Sequence, residues 1–188
     1  ANNFAVLNKF KDGAKVREDL PALLTAGVQY EILDNLRIMG GYHLYFDKSA
    51  TQYGDRQDLL DKNTMEYLFG AEWDICKYLQ YSVGAHRTIF GNTDEYISDM
   101  SYNISNWCVG TGFGVRFNDR LKLNLSYYKS FYDDYNRETN NYNNIGNLVE
   151  SVAGAETAQQ LIGSGALKGS DSFERKNWAF GVGINYRF

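Results

Sequence analysis

The stretch Asn177-Trp178-Ala179-Phe180-Gly181-Val182-Gly183-Ile184-Asn185-Tyr186-Arg187-Phe188 decides the fold. Successive side chains of an extended strand point to opposite faces. Trp178, Phe180, Val182, Ile184, Tyr186 and Phe188 therefore share one face, and Ala179, Gly181, Gly183, Asn185 and Arg187 share the other. Further back, the same rhythm appears in Leu121, Leu123, Leu125, Tyr127 and Phe131, with Asn118-Asp119 as the turn before them. Trp107, Val109, Phe113, Val115 and Phe117 alternate with Cys108, Gly110, Gly112, Gly114 and Arg116. Leu79 to Ala85, Met65 to Trp73, Leu36 to Phe46 and Leu24 to Ile32 repeat the pattern, with breaks at Cys76 and Asp34-Asn35. Period-two alternation on this scale, with no helical spacing between the runs, predicts seven antiparallel strands and an all-β chain.

Composition agrees and narrows the function classes. The 188 residues include 15 Tyr, 11 Phe, 3 Trp, 18 Gly and one Pro, the vocabulary of strands and turns. The net charge of -4 gives no basic footprint for nucleic acid. No run of about 20 apolar residues is present, which excludes a transmembrane helix. A membrane barrel is not excluded, because its strands need only about 10 residues with every second one apolar. Ala1-Asn2-Asn3 opens no basic and apolar leader, so the sequence reads as mature or as starting within a longer product.

Two regularities point to a membrane rather than a soluble barrel. Connections alternate between tight, at Asp34, Cys76 and Asp119, and long, after Asp47, Phe90 and Tyr132. Outer-membrane barrels have short periplasmic turns and long external loops. The apolar face also carries aromatics near both strand ends: Tyr30, Trp73, Phe117 and Tyr186 by the short turns, Phe46, Trp107, Phe131 and Trp178 by the long loops. Such girdles mark the two lipid–water interfaces. A soluble lipocalin-like barrel would use the same alternation, but it would not crowd its inner face with glycine and polar groups. The terminal Phe188, in phase with its strand, resembles the C-terminal signal of outer-membrane insertion.

In order and spacing, several of these segments resemble the C-terminal half of the FadL family of outer-membrane transporters for long-chain fatty acids and other hydrophobic compounds. They are Asp19-Leu20-Pro21, Gly27-Val28-Gln29-Tyr30, Tyr67-Leu68-Phe69-Gly70-Ala71-Glu72-Trp73 and Val83-Gly84-Ala85. Trp107 through Arg116-Phe117-Asn118-Asp119 and the closing strand complete the match. The resemblance implies a bacterial outer-membrane location and a fourteen-stranded barrel around an N-terminal hatch. It also implies passive transport, with lipid and a hydrophobic ligand or detergent as partners. Residues 1–188 then form one domain that supplies seven strands. The hatch and first strands are absent, because seven strands leave two edges that a bilayer does not tolerate.

The inner face supplies the candidate site residues. Gly27, Gly41, Gly70, Gly84, Gly110, Gly112, Gly114, Gly181 and Gly183 leave room for a hatch or a ligand, or simply ease curvature. Met39, Tyr45, Leu68, Tyr128 and Tyr132 are candidate ligand contacts in an otherwise polar lumen. Arg37, Arg116, Lys122 and Arg187 gather near the short turns with Glu72. They read as a basic exit for a carboxylate or, preferentially, as an ion network. A symmetric turn about Asp119 puts Arg116 beside Lys122. A turn about Cys76 would make Glu66 and His86 cross-strand neighbours, with His43 nearby. Zinc is conceivable there, and a hydrogen-bonded polar cluster is the plainer reading. Cys76 and Cys108 fall at opposite strand ends, beyond bridging distance.

Outside the strands, Phe4, Val6, Leu7 and Phe10 form an apolar cluster in external loop, either a ligand-gathering site or loop packing. The Asp133–Lys176 loop carries an amphipathic helix, read with Asn147 as N-cap, Glu150 in the capping box and Gly163 at its end. No nucleophile–base pair, acidic dyad, metal motif or cofactor motif appears, so no enzymatic role is expected. The alternative to transport is a barrel that works as an assembly or secretion partner through its external loops.

Overall fold

The computed structural model of the protein describes residues 12–97 and 102–188. The strands are β1 (Leu23–Leu33), β2 (Leu36–Tyr45), β3 (Thr64–Cys76), β4 (Leu79–Ile89), β5 (Asn106–Arg116), β6 (Leu121–Tyr132), β7 (Tyr135–Thr139), β8 (Gly169–Phe173) and β9 (Lys176–Tyr186). Seven of them form one antiparallel meander in the order β1-β2-β3-β4-β5-β6-β9. The fold class is all-β. The sheet is open among the described residues, with β1 and β9 as its edges.

Register keeps the two faces separate across all seven strands. Trp73 pairs with Tyr81, Tyr81 with Phe113, Phe113 with Leu125 and Leu125 with Val182. Tyr81 and Phe113 rings meet at 5.0 Å, and Tyr42 and Tyr67 rings at 5.2 Å, so cross-strand aromatic pairs lock this register. A slip of one residue would move every apolar side chain to the other face. The apolar face is uncovered: Trp73 is 46% exposed, Phe113 44%, Trp178 70% and Phe180 62%. The opposite face buries polar groups instead. Gln80, Thr88 and Ser130 are 7%, 5% and 6% exposed.

The short turns explain how the register is set. Leu33 pairs with Leu36 across Asp34-Asn35, neither of which has a positive φ. A primed two-residue turn needs positive φ. Here an irregularity between Glu31 and Leu33 absorbs the mismatch. In the β5–β6 turn the Asn118 side chain accepts from the backbone N–H of Arg120 and Leu121, both at 2.9 Å, an Asx-type closure. Arg116 pairs with Lys122 there.

The β3–β4 turn corrects one expectation. Cys76 belongs to β3 and pairs with Leu79, and a bulge separates it from Asp74. The turn falls at Lys77-Tyr78 rather than on Cys76, so with the bulge Glu66 faces Thr88, and His86 faces Leu68. A bulge of one residue is a local backbone choice with no signature in the alternation.

The loop expected from Asp133 to Lys176 is largely ordered structure. β7 and β8 pair as a hairpin beyond the β6–β9 pair. Between them lie α1 (Ile145–Ala153) and α2 (Ala155–Gly163), where one helix is expected. Gly154, at φ 89 and ψ 160, breaks the helix in a conformation only glycine adopts comfortably. Asn147 is inside α1 rather than at its cap. The residue before α1 is Asn144, and the Asn141 side chain accepts from the Gly146 N–H at 2.6 Å. Glu150 makes no capping box; its carbonyl accepts from the Gly154 N–H. The end at Gly163 is as expected, for α2.

The buried apolar residues of the described chain are Ala50, Leu60, Ile97, Ile104 and Ala158. All sit in the long connections. These connections knit into one body: Arg56 donates to the Tyr96 carbonyl at 2.8 Å, Thr93 to the Leu59 carbonyl at 2.7 Å, and Tyr102 stacks on Phe173 at 4.5 Å. Arg137, 7% exposed, holds the centre. It donates to the carbonyls of Asp94 and Ile97, both at 2.9 Å, and pairs with Asp171.

Candidate functional site

The polar face is hollowed. A cavity of about 1010 Å³ lies over β2 to β6 on this side, so the sheet curves toward it. Its floor is a cross-strand row in which Met39, Gly70, Gly84, Gly110 and Tyr128 follow one another. Neighbouring strands lie about 4.8 Å apart, so three adjacent glycines clear a strip wide enough for an apolar chain or ring. The Met39 side chain folds across Gly70, where a Cβ would come within 2.8 Å of its Cγ. A larger residue at 70 would lift Met39 into the hollow.

Toward the long connections, Leu68, His86, Cys108 and Ser130 form the next row, and Cys108 Sγ lies 3.3 Å from Ser130 Oγ. Above them Glu66 is the hub of a polar cluster. Its carboxylate lies 3.0 Å from His43 Nδ1 and accepts from the hydroxyls of Tyr45 at 3.1 Å and Thr88 at 3.0 Å. The His86 side chain hydrogen-bonds to none of the described residues, and His86 lines the hollow.

Toward the short turns an ionic ladder crosses five strands. Arg37 pairs with Glu72. The Gln80 amide donates to Glu72 at 2.9 Å and to Asp74 at 3.1 Å, while its carbonyl oxygen accepts from Lys122 at 2.7 Å. Arg116 completes the ladder through Asp74 at 3.3 Å. Lys122 reaches Gln80 by lying across Gly114, where a Cβ would collide with its Cε. The adjacent Arg116 and Lys122 are thus each satisfied within the chain. Arg187 lies just past the end of β9, with its backbone N–H on the Arg120 carbonyl.

Of the expected contacts, Met39, Leu68, Tyr128 and Tyr132 line the hollow. Tyr45 does not, but it bonds Glu66, which does. Arg37, Arg116, Lys122 and Arg187 are outside its lining. Phe4, Val6, Leu7 and Phe10 lie outside the described residues. Among the described residues no cluster of three His, Cys, Asp or Glu is placed to hold a metal, and Cys76 and Cys108 are free. Sequence reasoning passed over Gln80, Thr88 and Asp74. Their inward phase was readable, but their central place in the ladder and the Glu66 cluster depends on the bulge.

At the long-connection end of the sheet, ion pairs tie the connections and Arg87, which is on the same face as Trp107. Arg87 makes a two-pronged contact with Asp133, at 2.8 and 2.6 Å, and the bond holds the Asp133 carboxyl below its ordinary value. The Tyr142 hydroxyl, with Arg137, holds Asp171 below its ordinary value against the opposing effect of burial. Burial, reinforced by the bond to Asp94, pushes the Tyr135 phenol up to about 12.

Comparison with known proteins finds no family model and no curated relative that matches the chain.

Proposed function

We propose that this chain forms the C-terminal half of a FadL-like bacterial outer-membrane barrel and that the complete barrel passes hydrophobic small molecules by diffusion. The observation that carries the reading is the reversal of burial: aromatic and aliphatic side chains stand uncovered on the convex face, and glycine and polar groups line the hollow. A soluble sheet exposes such a face only at the cost of aggregation. In a bilayer the same face meets hydrocarbon. Trp178 and Tyr186 lie about 26 Å apart along β9 at roughly 3.3 Å per residue. A strand tilt of about 40° reduces this to about 20 Å, within the reach of a barrel's apolar band of about 25 Å.

Strand direction supports the larger barrel. β1 and β9 run the same way, because five strands alternate between them. They cannot close antiparallel on each other, or on a second copy in the same orientation. An odd number of further strands between them is required, and a fourteen-stranded barrel supplies seven. Native lipid, a hydrophobic ligand and those strands are the partners on this reading.

Cells whose outer membrane carries the protein should take up a fluorescent aromatic hydrocarbon faster than cells lacking it. The purified protein should be monodisperse only in detergent. Equal uptake, or a monodisperse protein in plain buffer, would refute the proposal. The packed connections favour a second reading, an assembly or secretion partner. A protein docked on residues 133–176 over a sealed hollow would establish it.

A further inference from the structure

We infer that the hollow selects an uncharged apolar molecule bearing a hydroxyl group and disfavours the matching carboxylate. The inference rests on the transport reading and narrows its ligand. The acidic and imidazole side chains lining the hollow are Glu66, Glu72 and His86; no Lys or Arg is among the lining residues. Glu72 is neutralised by Arg37 and bonded by Gln80. Of the nearby cations, Arg116 is paired with Asp74 and Lys122 donates to the Gln80 amide, and neither lines the hollow. Glu66 is different. Its partners are a histidine and two hydroxyls, and no Lys or Arg pairs with it.

Glu66 Oε1 accepts from Thr88 alone, which leaves it room for another donor. Thr88 and His86 are two residues apart on β4 and share a face, so the unengaged imidazole sits diagonally beside that oxygen. A ligand hydroxyl between them donates to Glu66 and accepts from a ring N–H of His86. A carboxylate has no proton to donate and faces the like charge of Glu66. The body of the ligand then lies along the Gly70–Gly84–Gly110 strip, between Met39 and Tyr128, with Leu68 above it.

The test is displacement of an apolar fluorescent dye from the detergent-solubilised whole protein at alkaline pH. The competitors are a long-chain alcohol and the fatty acid of equal chain length. The wild type should bind the alcohol about tenfold more tightly, the ratio that about 1.4 kcal/mol of repulsion produces. Glu66→Gln keeps the shape and removes the charge; it should raise acid affinity severalfold and shrink the alcohol's advantage over the acid. His86→Leu should weaken the alcohol and not the acid, which keeps the proposal open to refutation if Glu66→Gln misfolds. Equal or tighter binding of the acid by the wild type overturns the inference while transport stands. If neither competitor displaces the dye and uptake is also absent, the transport reading itself falls.

Discussion

The seven-stranded sheet and the body of long connections bury opposite kinds of residue. In the connections Leu60, Ile97, Ile104 and Ala158 are covered and a charged Arg137 is tied down by an ion pair and two carbonyls, as in any water-facing domain. In the sheet Gln80, Thr88 and Ser130 are covered while Val28, Phe180 and Ile184 are bare. One chain thus follows two rules of burial, divided at the strand ends. Water alone does not produce this division, because it would draw the apolar residues of both regions inward. Two solvents would.

The largest expected effect falls in the connections. Arg137→Ala leaves Asp171 buried without its cation and removes the donors to Asp94 and Ile97, at a cost of about 3–5 kcal/mol. Hydrogen exchange should show protection lost from residues 90–97 and 135–173 while the sheet keeps its own. If the sheet melts with them, the two regions are one cooperative unit.

Next is Val83→Arg, at the middle of the convex face. Val83 is 45% exposed, so at a water-facing site the change would fall within about 0.5 kcal/mol. Facing the bilayer midplane, the same change costs about 2–4 kcal/mol. Folding titrations into lipid vesicles should show the larger loss. The smaller value would remove the contrast between the regions.

Acid should act on the connections first. The folded-state pKa values of Asp133 and Asp171 lie below their unfolded values, so their contribution is fully present above the unfolded value, near 4. It is lost as pH falls through the lower, folded value. Exchange protection around Tyr142 and Asp171 should therefore drop at lower pH than about 4, with strand content by circular dichroism unchanged. The mildest probe is Gly154→Ala, which strains the positive φ between α1 and α2 by about 1 kcal/mol. It should loosen the helices without touching ligand binding in the hollow.

The strands and their two faces were legible because alternation is written residue by residue. Leu121 to Phe131 and Trp178 to Tyr186 need no partner to declare their phase. The Arg116–Lys122 pairing also followed, since that turn is regular. The Glu66–His86 pairing did not, because the β3–β4 turn falls at Lys77-Tyr78 rather than on Cys76 and a bulge there offsets the register by one residue. The connections were the least legible. Arg137 binds Asp94, Ile97 and Asp171 across long sequence separations, and no local period announces such contacts. Asn147 as a cap failed for a related reason: the Asn141 side chain, from outside the helix, took the role.

The sequence by itself determined an antiparallel sheet, its seven strands and which residues share each side, since the strand's twofold repeat assigns a face locally. Tertiary structure decided the cross-strand partners above the bulge, the hollow over the glycine strip, and the engagement of Arg116 by Asp74 and of Lys122 by the Gln80 amide. It also decided that the connections form a packed body. Each depends on curvature or on groups far apart in the chain, and a periodic pattern carries no information about either.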